Sequence, residues 1–527
     1  MATLVVVSPG LRARHKAFQS LREQVEASST DVQWEFIEHR QHYLSFGAPA
    51  SKALDIVARI DWIWETAPGQ FDRIVFVGYS AGAILVRLAY LISAGVYAHR
   101  PGPGKLLRGQ QSRPWHEAVA GFVLIAGVNA GWKPFSALKP VVWFADAVGL
   151  QRRLFGGNLI SGSYFVTNVR LDWMDYLPSL GDRAPRIVQV LGTGDSIVGD
   201  SDSTDVTQFP NAKQVLIQGA NHLSVMERTR ELSQAVTTVL HVSGVADEEI
   251  QPSDTATKTP SSVVFVVHGI RDSRRSWPED VRQKVNEVDQ SVKVVTASYG
   301  YLSAFRFVWP GNRRKRARWL CDQYTRERAE HPDLPFHFIG HSNGTYTLGR
   351  SLLEVHGMRF DRVVLMGSVL PREYPWQAMK DGGQARSIEN HCSRRDWPVA
   401  WLCSTLRVIG MNDLGTAGFE GFDDGTAFES RWYPGGHGSP MSNDEYLSRI
   451  AAFVCGRAHQ SWDDTERLPA PGPIWLSSPR RFPVIAILVL LLVISFGVWA
   501  ALKYDFVAVG SAVAALVLLV AILSDVG

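Results

Sequence analysis

The chain has 527 residues, enough for two or three folded domains with full-sized cores. Its 46% hydrophobic and 20% charged residues exclude a disordered, collagen-like or coiled-coil chain. The chain has 54 Lys and Arg residues against 51 Asp and Glu residues. Because these charges nearly cancel, the composition argues against nucleic acid as the partner. The four cysteines form no CxxC pair, which argues against a disulfide framework or a zinc site and fits a reducing compartment.

The C-terminus differs from the rest of the chain. Two uncharged runs, of 20 and 18 residues, fill positions 482–501 and 506–523, and each is long enough to cross about 30 Å of hydrocarbon. The sequence therefore predicts a transmembrane hairpin, with a buried helical hairpin as the alternative. Arg480 and Arg481 precede the first run, which places the rest of the chain on the cytoplasmic side of the membrane.

Two stretches have the composition of linkers. Positions 242–262 are rich in Ser, Thr, Pro and acidic residues, and positions 457–481 contain the sequence PAPGP. These linkers divide the chain into a first domain at 1–241, a second at 263–456 and the apolar segment at 482–523.

Both domains alternate short β-branched runs with amphipathic helical stretches, which predicts mostly parallel sheets covered by helices. The N-terminal sequence MATLVVVSPG lacks the features of a signal peptide and begins this pattern as a strand. Strands are predicted at 4–7, 34–37, 73–77, 121–125, 187–191 and 214–217 in the first domain, and at 263–267, 292–296, 336–339, 362–365 and 406–409 in the second.

A GxSxG sequence follows one predicted strand of each domain and precedes a predicted helix. The two copies are GYSAG at 78–82 and GHSNG at 340–344. A tight strand-to-helix turn strains its central residue and raises the serine hydroxyl above the sheet, while the glycines relieve crowding. Ser80 and Ser342 are therefore candidate nucleophiles.

A serine at neutral pH needs a histidine to take its proton and a carboxylate to orient that histidine. Asp195 and His222 follow two successive predicted strands of the first domain. In the second, Asp413 follows the strand predicted at 406–409, and His437 comes later. The Asp-to-His intervals, 222 − 195 = 27 and 437 − 413 = 24, are similar. Other acidic residues nearby leave alternatives open for the acid, namely Asp200 or Asp202 in the first domain and Asp423 or Asp424 in the second.

With these motifs in this order, both domains resemble the α/β-hydrolase superfamily of lipase-like and esterase-like serine hydrolases. The resemblance implies catalytic roles for Ser80, Asp195, His222, Ser342, Asp413 and His437. It also implies oxyanion holes of backbone N–H groups, from Ala81 with Gly10 or Leu11 and from Asn343 with Gly269 or Ile270. It implies no cofactor and no metal. The first domain departs from the family's His-Gly loop because Pro9, which has no N–H, stands before Gly10, whereas His268 stands before Gly269.

Each domain also carries an aromatic-rich insertion, at 131–183 and at 371–404. In this superfamily such insertions form caps over the serine, and apolar caps suit an apolar acyl group, although the aromatics are equally suited to packing on the domain core. The basic run at 313–318 indicates either a solvated helix face or a contact with anionic membrane lipid.

These observations predict a membrane-anchored tandem serine hydrolase that cleaves acyl esters or thioesters. The Ser342 site is expected to be the more reactive because its oxyanion loop matches the superfamily. Two alternatives stay open: only the second domain is catalytic and the first regulates, or both are inactive modules of a membrane-tethered scaffold. The sequence does not indicate an oligomeric state.

Overall fold

A computed structural model describes residues 2–240, 260–296 and 307–457 together with residue 495, apart from gaps at 12, 14, 30, 40, 101, 103, 104, 135–137, 148, 199–208, 210, 271–276, 409 and 425–428. The chain divides into two compact units. Unit 1 comprises Met1–Ala256, Arg318–Asp333 and Leu353–Met358, and unit 2 comprises Thr257–Ala317, Leu334–Leu352 and Arg359–Gly527. The predicted domain boundaries stay a prediction, since positions 241–259 lie outside the described residues.

Unit 1 contains a six-stranded parallel sheet in the order β2-β1-β3-β4-β5-β6. Its strands are β1 Ala2–Ser8, β2 Val32–Phe36, β3 Phe71–Tyr79, β4 Val119–Ile125, β5 Arg186–Gly192 and β6 Ala212–Ile217. All six lie where the sequence predicts them. The central strands are nearly continuous apolar runs because helices cover both faces of the sheet.

Seven α-helices lie wholly within the described residues of unit 1. They are α1 Gln19–Ser28, α2 Pro49–Thr66, α3 Ala81–Ser93, α4 Lys139–Ala147, α5 Phe155–Asn158, α6 Tyr164–Tyr176 and α7 Thr229–Leu240. Helices α1 and α7 pack their apolar residues into one core with the central strands. Helix α3 is buried on every side and packs against α2 and α6. It is therefore a core helix, and it carries the first candidate serine at its start.

The insertion at 131–183 forms α4 to α6. Several of its aromatics belong to the core: Trp173 is fully buried, and its ring meets Phe122 of β4 edge to face at 5.2 Å. Phe144 of α4, by contrast, is 60% exposed. The insertion thus supplies both core packing and an exposed apolar surface.

Unit 2 contains a second six-stranded parallel sheet, in the order β12-β11-β10-β9-β7-β8. Its strands are β7 Ser262–Val267, β8 Val292–Val295, β9 Phe336–His341, β10 Phe360–Met366, β11 Ala385–Ser393 and β12 Glu429–Tyr433. The first four match the predicted strands. Strands β11 and β12 were not predicted, and the strand predicted at 406–409 is wrong, because helix Ser404–Val408 occupies that position.

The remaining helices are α8 Trp277–Val288, α9 Pro310–Glu330, α10 Asn343–Glu354, α11 Trp376–Asp381, α12 Ser404–Val408, α13 Ala417–Glu420 and α14 Asp444–Val454, with a π-helical turn at Pro398–Cys403. Helices α8 and α14 pack together over one face of the second sheet. Because β11 lies inside 371–404, that segment is part of the sheet and not simply a cap.

The predicted transmembrane hairpin is corrected. Within the described part of the chain, no helix combines the length and the apolar character that crossing a membrane requires. The two predicted spans lie outside the described residues except for residue 495. The described architecture is therefore two α/β units with parallel sheets, and the described residues include no membrane-crossing hairpin.

Candidate active sites

Ser80 lies at the turn between β3 and α3. Its backbone has a φ of +52°, a conformation that non-glycine residues seldom adopt. The motif glycines are required by space: a Cβ on Gly78 would lie 2.5 Å from Ala83 Cα, and one on Gly82 would lie 1.8 Å from the carbonyl oxygen of Ser8. The turn therefore brings the start of α3 directly against the end of β1.

Ser80, His222 and Asp195 form a continuous hydrogen-bonded chain. Ser80 Oγ lies 2.9 Å from His222 Nε2, and His222 Nδ1 lies 2.8 Å from Asp195 Oδ2. The Asp195 side chain is only 2% exposed, and its other oxygen accepts bonds from the backbone N–H groups of Ile197 and Val198. The structure thus brings together three residues that are up to 142 positions apart in the sequence.

The surroundings of Asp195 stabilise its negative charge. Burial alone would raise the pKa of this carboxyl group, but its hydrogen bond and charge interaction with His222 and the two backbone N–H groups outweigh burial and lower the pKa. The carboxylate is therefore ionised at neutral pH and fixes the proton of His222 on Nδ1, which leaves Nε2 as the acceptor for the Ser80 hydroxyl proton.

The predicted oxyanion groups of unit 1 lie beside Ser80. Ala81 is the first residue of α3, so its N–H is one of the helix N-terminal groups that bond no carbonyl within the helix. Gly10 lies so close that a Cβ on it would be 2.8 Å from Ser80 Cβ. Leu11 follows Gly10 and is partly buried. The loop after β1 therefore faces the serine, with Pro9 supplying no donor.

Ser342 repeats this turn in unit 2, between β9 and α10. Its φ is also +52°, and the side chain is buried. A Cβ on Gly344 would lie 2.3 Å from the carbonyl oxygen of Val267, so α10 starts against the end of β7. Asn343, the predicted oxyanion donor, is the first residue of α10. The two units therefore build their serine turns in the same way.

His437 of unit 2 is hydrogen-bonded to a different aspartate from the predicted Asp413. His437 Nδ1 lies 2.7 Å from Asp396 Oδ2. Asp396 is wholly buried and also accepts a bond from the backbone N–H of Val399. In the described part of unit 2, no hydrogen bond joins Ser342 Oγ to His437.

Asp413 lies elsewhere in unit 2 and does not contact His437. The guanidinium of Arg313 donates to both of its carboxylate oxygens at 3.0 and 3.2 Å, and the Tyr346 hydroxyl donates to one of them at 2.8 Å. Burial raises the pKa of Asp413, but the charge of Arg313 and these hydrogen bonds lower it overall. Arg313 is fully buried, so this member of the basic run does not lie on a solvated face.

The position of the acid follows from the strand that precedes it. Asp195 comes three residues after the end of β5 at Gly192, and Asp396 comes three residues after the end of β11 at Ser393. Strands β5 and β11 occupy equivalent places in the two sheets. Sequence reasoning missed Asp396 because it missed β11.

This leaves the alternative acids and the second oxyanion loop that the sequence indicated. Asp200 and Asp202 lie outside the described residues. Asp423 pairs with Arg372. In the second oxyanion loop, His268 is buried and its ring donates to the carbonyl of Gly269 at 2.9 Å. Ile270 follows and is partly buried.

Among the described residues, one group of side chains at the end of α9 and just after it has the geometry to hold a metal ion. Glu327, Glu330 and His331 offer ligand atoms that all lie within 4.8 Å of one another. None of the three is a predicted site residue.

Comparison with known proteins gives matches in structure only. No protein-family model matches the chain, and no curated protein matches its sequence. A metagenome-derived lipolytic enzyme of the LipS and LipT study is 14% identical and has a TM-score of 0.31, covering 45% of this chain and 93% of its own. A thermophilic esterase from Thermogutta terrifontis is 16% identical with a TM-score of 0.28 (46% and 90%), and the peroxisomal α/β-hydrolase Lpx1 from Saccharomyces cerevisiae is 9% identical with a TM-score of 0.33 (48% and 82%).

The topology of the chain itself identifies its fold. In each unit the parallel strands are arranged 2-1-3-4-5-6 in order of sequence, and a serine stands at a strained turn between the third strand and the next helix. Both units have the α/β-hydrolase fold. The resemblance inferred from the sequence is confirmed at the level of fold, and each α/β-hydrolase unit places its serine at the carboxyl end of its sheet.

Proposed function

We propose that the protein is a serine hydrolase that cleaves acyl esters or thioesters through an acyl-enzyme intermediate. The observation that carries the proposal is the continuous hydrogen-bonded chain of Ser80, His222 and Asp195 at the turn after β3. A nucleophile, a base and an acid that orients the base, all within hydrogen-bonding distance, are the requirements of this chemistry.

The proposed reaction follows from this geometry. His222 Nε2 takes the proton of Ser80 Oγ as the oxygen attacks the acyl carbonyl. Asp195 stabilises the imidazolium that forms, and the N–H of Ala81, with that of Gly10 or Leu11, stabilises the oxyanion. His222 then gives its proton to the departing alcohol or thiol. Water, activated by the same histidine, finally releases the acid and regenerates the serine.

An apolar acyl group is the proposed substrate class. Leu223, next to His222, is 74% exposed, so one large apolar side chain lies at the surface beside the site. The segment after β2 and helix α4 line one small apolar cavity of about 20 Å³. The same two segments expose the large apolar side chains of Leu44, Phe46, Val141 and Phe144. The exposed apolar side chains favour an apolar ligand over a charged peptide, whereas the cavity has room for only about one water molecule.

Unit 2 is a second candidate for the same activity, with Asp396 in place of Asp413. Its Asp396–His437 pair and strained Ser342 support catalysis. Among the described residues no hydrogen bond joins Ser342 Oγ to His437, which argues for a less prepared site. Hydrogen bonds of this kind often tighten only when substrate binds. Contact with membrane lipid and a cytoplasmic location stay predictions that the described residues do not test.

Labelling of the full chain with a fluorophosphonate probe tests the proposal. Such probes react with serines that a neighbouring histidine activates, so we expect two labels per chain, with Ser80→Ala and Ser342→Ala each removing one. The same variants should identify the serine that hydrolyses medium-chain nitrophenyl esters. Short peptide amides cleaved faster than these esters would contradict the proposed substrate class. Folded protein with neither serine labelled would support the inactive scaffold instead.

A further inference from the structure

In each unit, the residue just before the serine contacts the backbone of the base histidine. The Tyr79 hydroxyl donates a hydrogen bond to the carbonyl oxygen of His222 at 2.8 Å. In unit 2, His341 Nε2 lies 3.3 Å from the carbonyl oxygen of His437. A carbonyl oxygen can only accept, so this ring nitrogen carries the proton and donates. Two different side chains at equivalent positions therefore make the same contact.

In unit 1 this contact joins a rigid element to an exposed loop. Tyr79 is the last residue of β3 and is buried, with its ring 6.3 Å from that of Phe18 in the core. His222 lies in the loop after β6, where both of its neighbours, Asn221 and Leu223, are exposed. The tyrosine hydroxyl therefore ties the backbone of His222 to the end of a core strand.

In unit 2 other aromatic rings pack closely around the imidazole of His341. The imidazoles of His341 and His437 lie 4.6 Å apart, and the ring of Trp277 meets His341 edge to face at 6.0 Å. His341 is buried at the end of β9. The histidine inside the GHSNG motif is thus placed to hold His437, and it is not a second base.

We propose that Tyr79 and His341 are positioning residues that hold the base histidine of their unit at the reacting distance from its serine. The inference rests on the proposed function, since it concerns the same two sites. It predicts an effect on the chemical step and not on substrate binding, because the two side chains act through the histidine backbone. A displacement of about 1 Å in such an arrangement can cost roughly 100-fold in rate.

The first test measures the tether without using activity. In Tyr79→Phe, which loses only the hydroxyl, amide hydrogen exchange of the 219–223 loop should become faster than in the wild-type full chain. The matched control is Tyr176→Phe, which removes a tyrosine hydroxyl bonded to His116 at 2.8 Å in the same unit. Exchange in the loop that is unchanged in Tyr79→Phe, or equally fast in the control, would overturn the inference whatever the enzymatic result.

The second test measures the consequence for the reaction, in a Ser342→Ala background so that only Ser80 acts. Tyr79→Phe should lower kcat on a nitrophenyl ester by about 10- to 100-fold and leave KM within about twofold. Tyr176→Phe should change neither. An unchanged kcat, or a rise in KM without a loss of kcat, would refute the positioning role of Tyr79. If the wild-type Ser80 does not react at all, the proposed function is refuted. The hydrogen-exchange result then decides by itself whether Tyr79 holds the loop.

The same logic applies to unit 2 in a Ser80→Ala background. His341→Gln keeps an N–H donor for the His437 carbonyl, and His341→Phe removes it. The glutamine variant should recover most of the labelling rate of Ser342 that the phenylalanine variant loses. Equal losses in both variants would show that the position matters only for packing and would overturn the inference for His341.

Discussion

The two units build the same turn and then connect it differently. In unit 1 the serine, histidine and acid are linked without a break, but Pro9 weakens the loop that should bind the oxyanion. In unit 2 the His268-Gly269 loop matches the superfamily, yet Ser342 Oγ makes no bond to His437 within the described residues. An oxyanion loop that matches the superfamily and a serine that is hydrogen-bonded to its histidine are therefore separate properties. The first favours unit 2 as the reactive site, and the second favours unit 1.

The largest effect should come from the acid of unit 2. In a Ser80→Ala background, Asp396→Asn should slow ester hydrolysis by Ser342 by about 1,000- to 10,000-fold, because His437 then loses the carboxylate that sets its tautomer. The matched control is Asp413→Asn, which alters a carboxylate of the same unit that contacts Arg313 and not His437. If Asp413→Asn were the more damaging variant, the assignment of the acid from the structure would be wrong.

Arg313 should matter for the stability of unit 2 and not for its chemistry. Arg313→Met would leave Asp413, whose side chain is 27% exposed, without its guanidinium partner, and it would remove donors from the carbonyls of Phe307 and Val308. We expect a loss of about 3 kcal/mol in the free energy of unfolding of unit 2. Denaturant unfolding checks this, and Arg314→Met on the neighbouring position, partly exposed, is the control. A free energy of unfolding in Arg313→Met equal to that of the wild type would contradict this role.

The pH dependence of stability should distinguish unit 1. Burial, opposed by Arg100 and Tyr97, raises the pKa of the Asp172 carboxyl group from 3.8 to about 6. A raised pKa in the folded state means that stability is fully present below about pH 4 and is lost as the pH rises towards 6. The shift corresponds to roughly 3 kcal/mol.

Asp172→Asn should flatten this dependence of the unit 1 transition between about pH 4 and 6. Thermal unfolding followed across that range measures the effect. A wild-type profile and a variant profile that run parallel would mean that Asp172 does not titrate there. The unit 2 transition provides the internal reference in the same chain.

The smallest expected effect decides which site is better prepared. With Ser342→Ala and Ser80→Ala measured separately, Ser80 should react with a fluorophosphonate about 10- to 100-fold faster than Ser342, since among the described contacts Ser80 is the serine that is hydrogen-bonded to its base. This reverses the order that the oxyanion loops alone suggested. Faster labelling of Ser342 would mean that the loop after the first strand matters more than the preformed hydrogen bond.

Most of the fold could be predicted from the sequence, and strand β11 shows why part of it could not. The strands of unit 1 are apolar runs bounded by turns, so all six were predictable. Strand β11 was not, because it contains Glu389, Asn390 and His391, which look like surface residues. They are buried because partners far along the chain satisfy them: Tyr433, for example, hydrogen-bonds His391 at 2.7 Å. Such pairing depends on tertiary structure and leaves no local pattern.

The site residues were predictable in the unit whose strands were predictable. Ser80, Asp195 and His222 all follow strands that the sequence predicts. In unit 2 the apolar sequence at 406–409 suggested a strand, although it belongs to a short helix, and this placed the acid at Asp413. The similar Asp-to-His intervals reinforced the error, since the interval in the structure is 437 − 396 = 41 residues. The free energy of closing a loop depends only weakly on its length, so the number of residues between an Asp and a His is a poor guide to whether they pair.

The close approach of Gly82 and Gly344 to the preceding strands has a consequence for how such motifs are interpreted. Each glycine leaves room for a carbonyl oxygen, of Ser8 in unit 1 and of Val267 in unit 2, that any side chain would strike. That demand comes from seating a helix on a sheet, and it would be the same in a copy whose serine had been replaced. The last glycine of GxSxG is therefore a marker of architecture, and only the serine, the histidine and the acid report on chemistry.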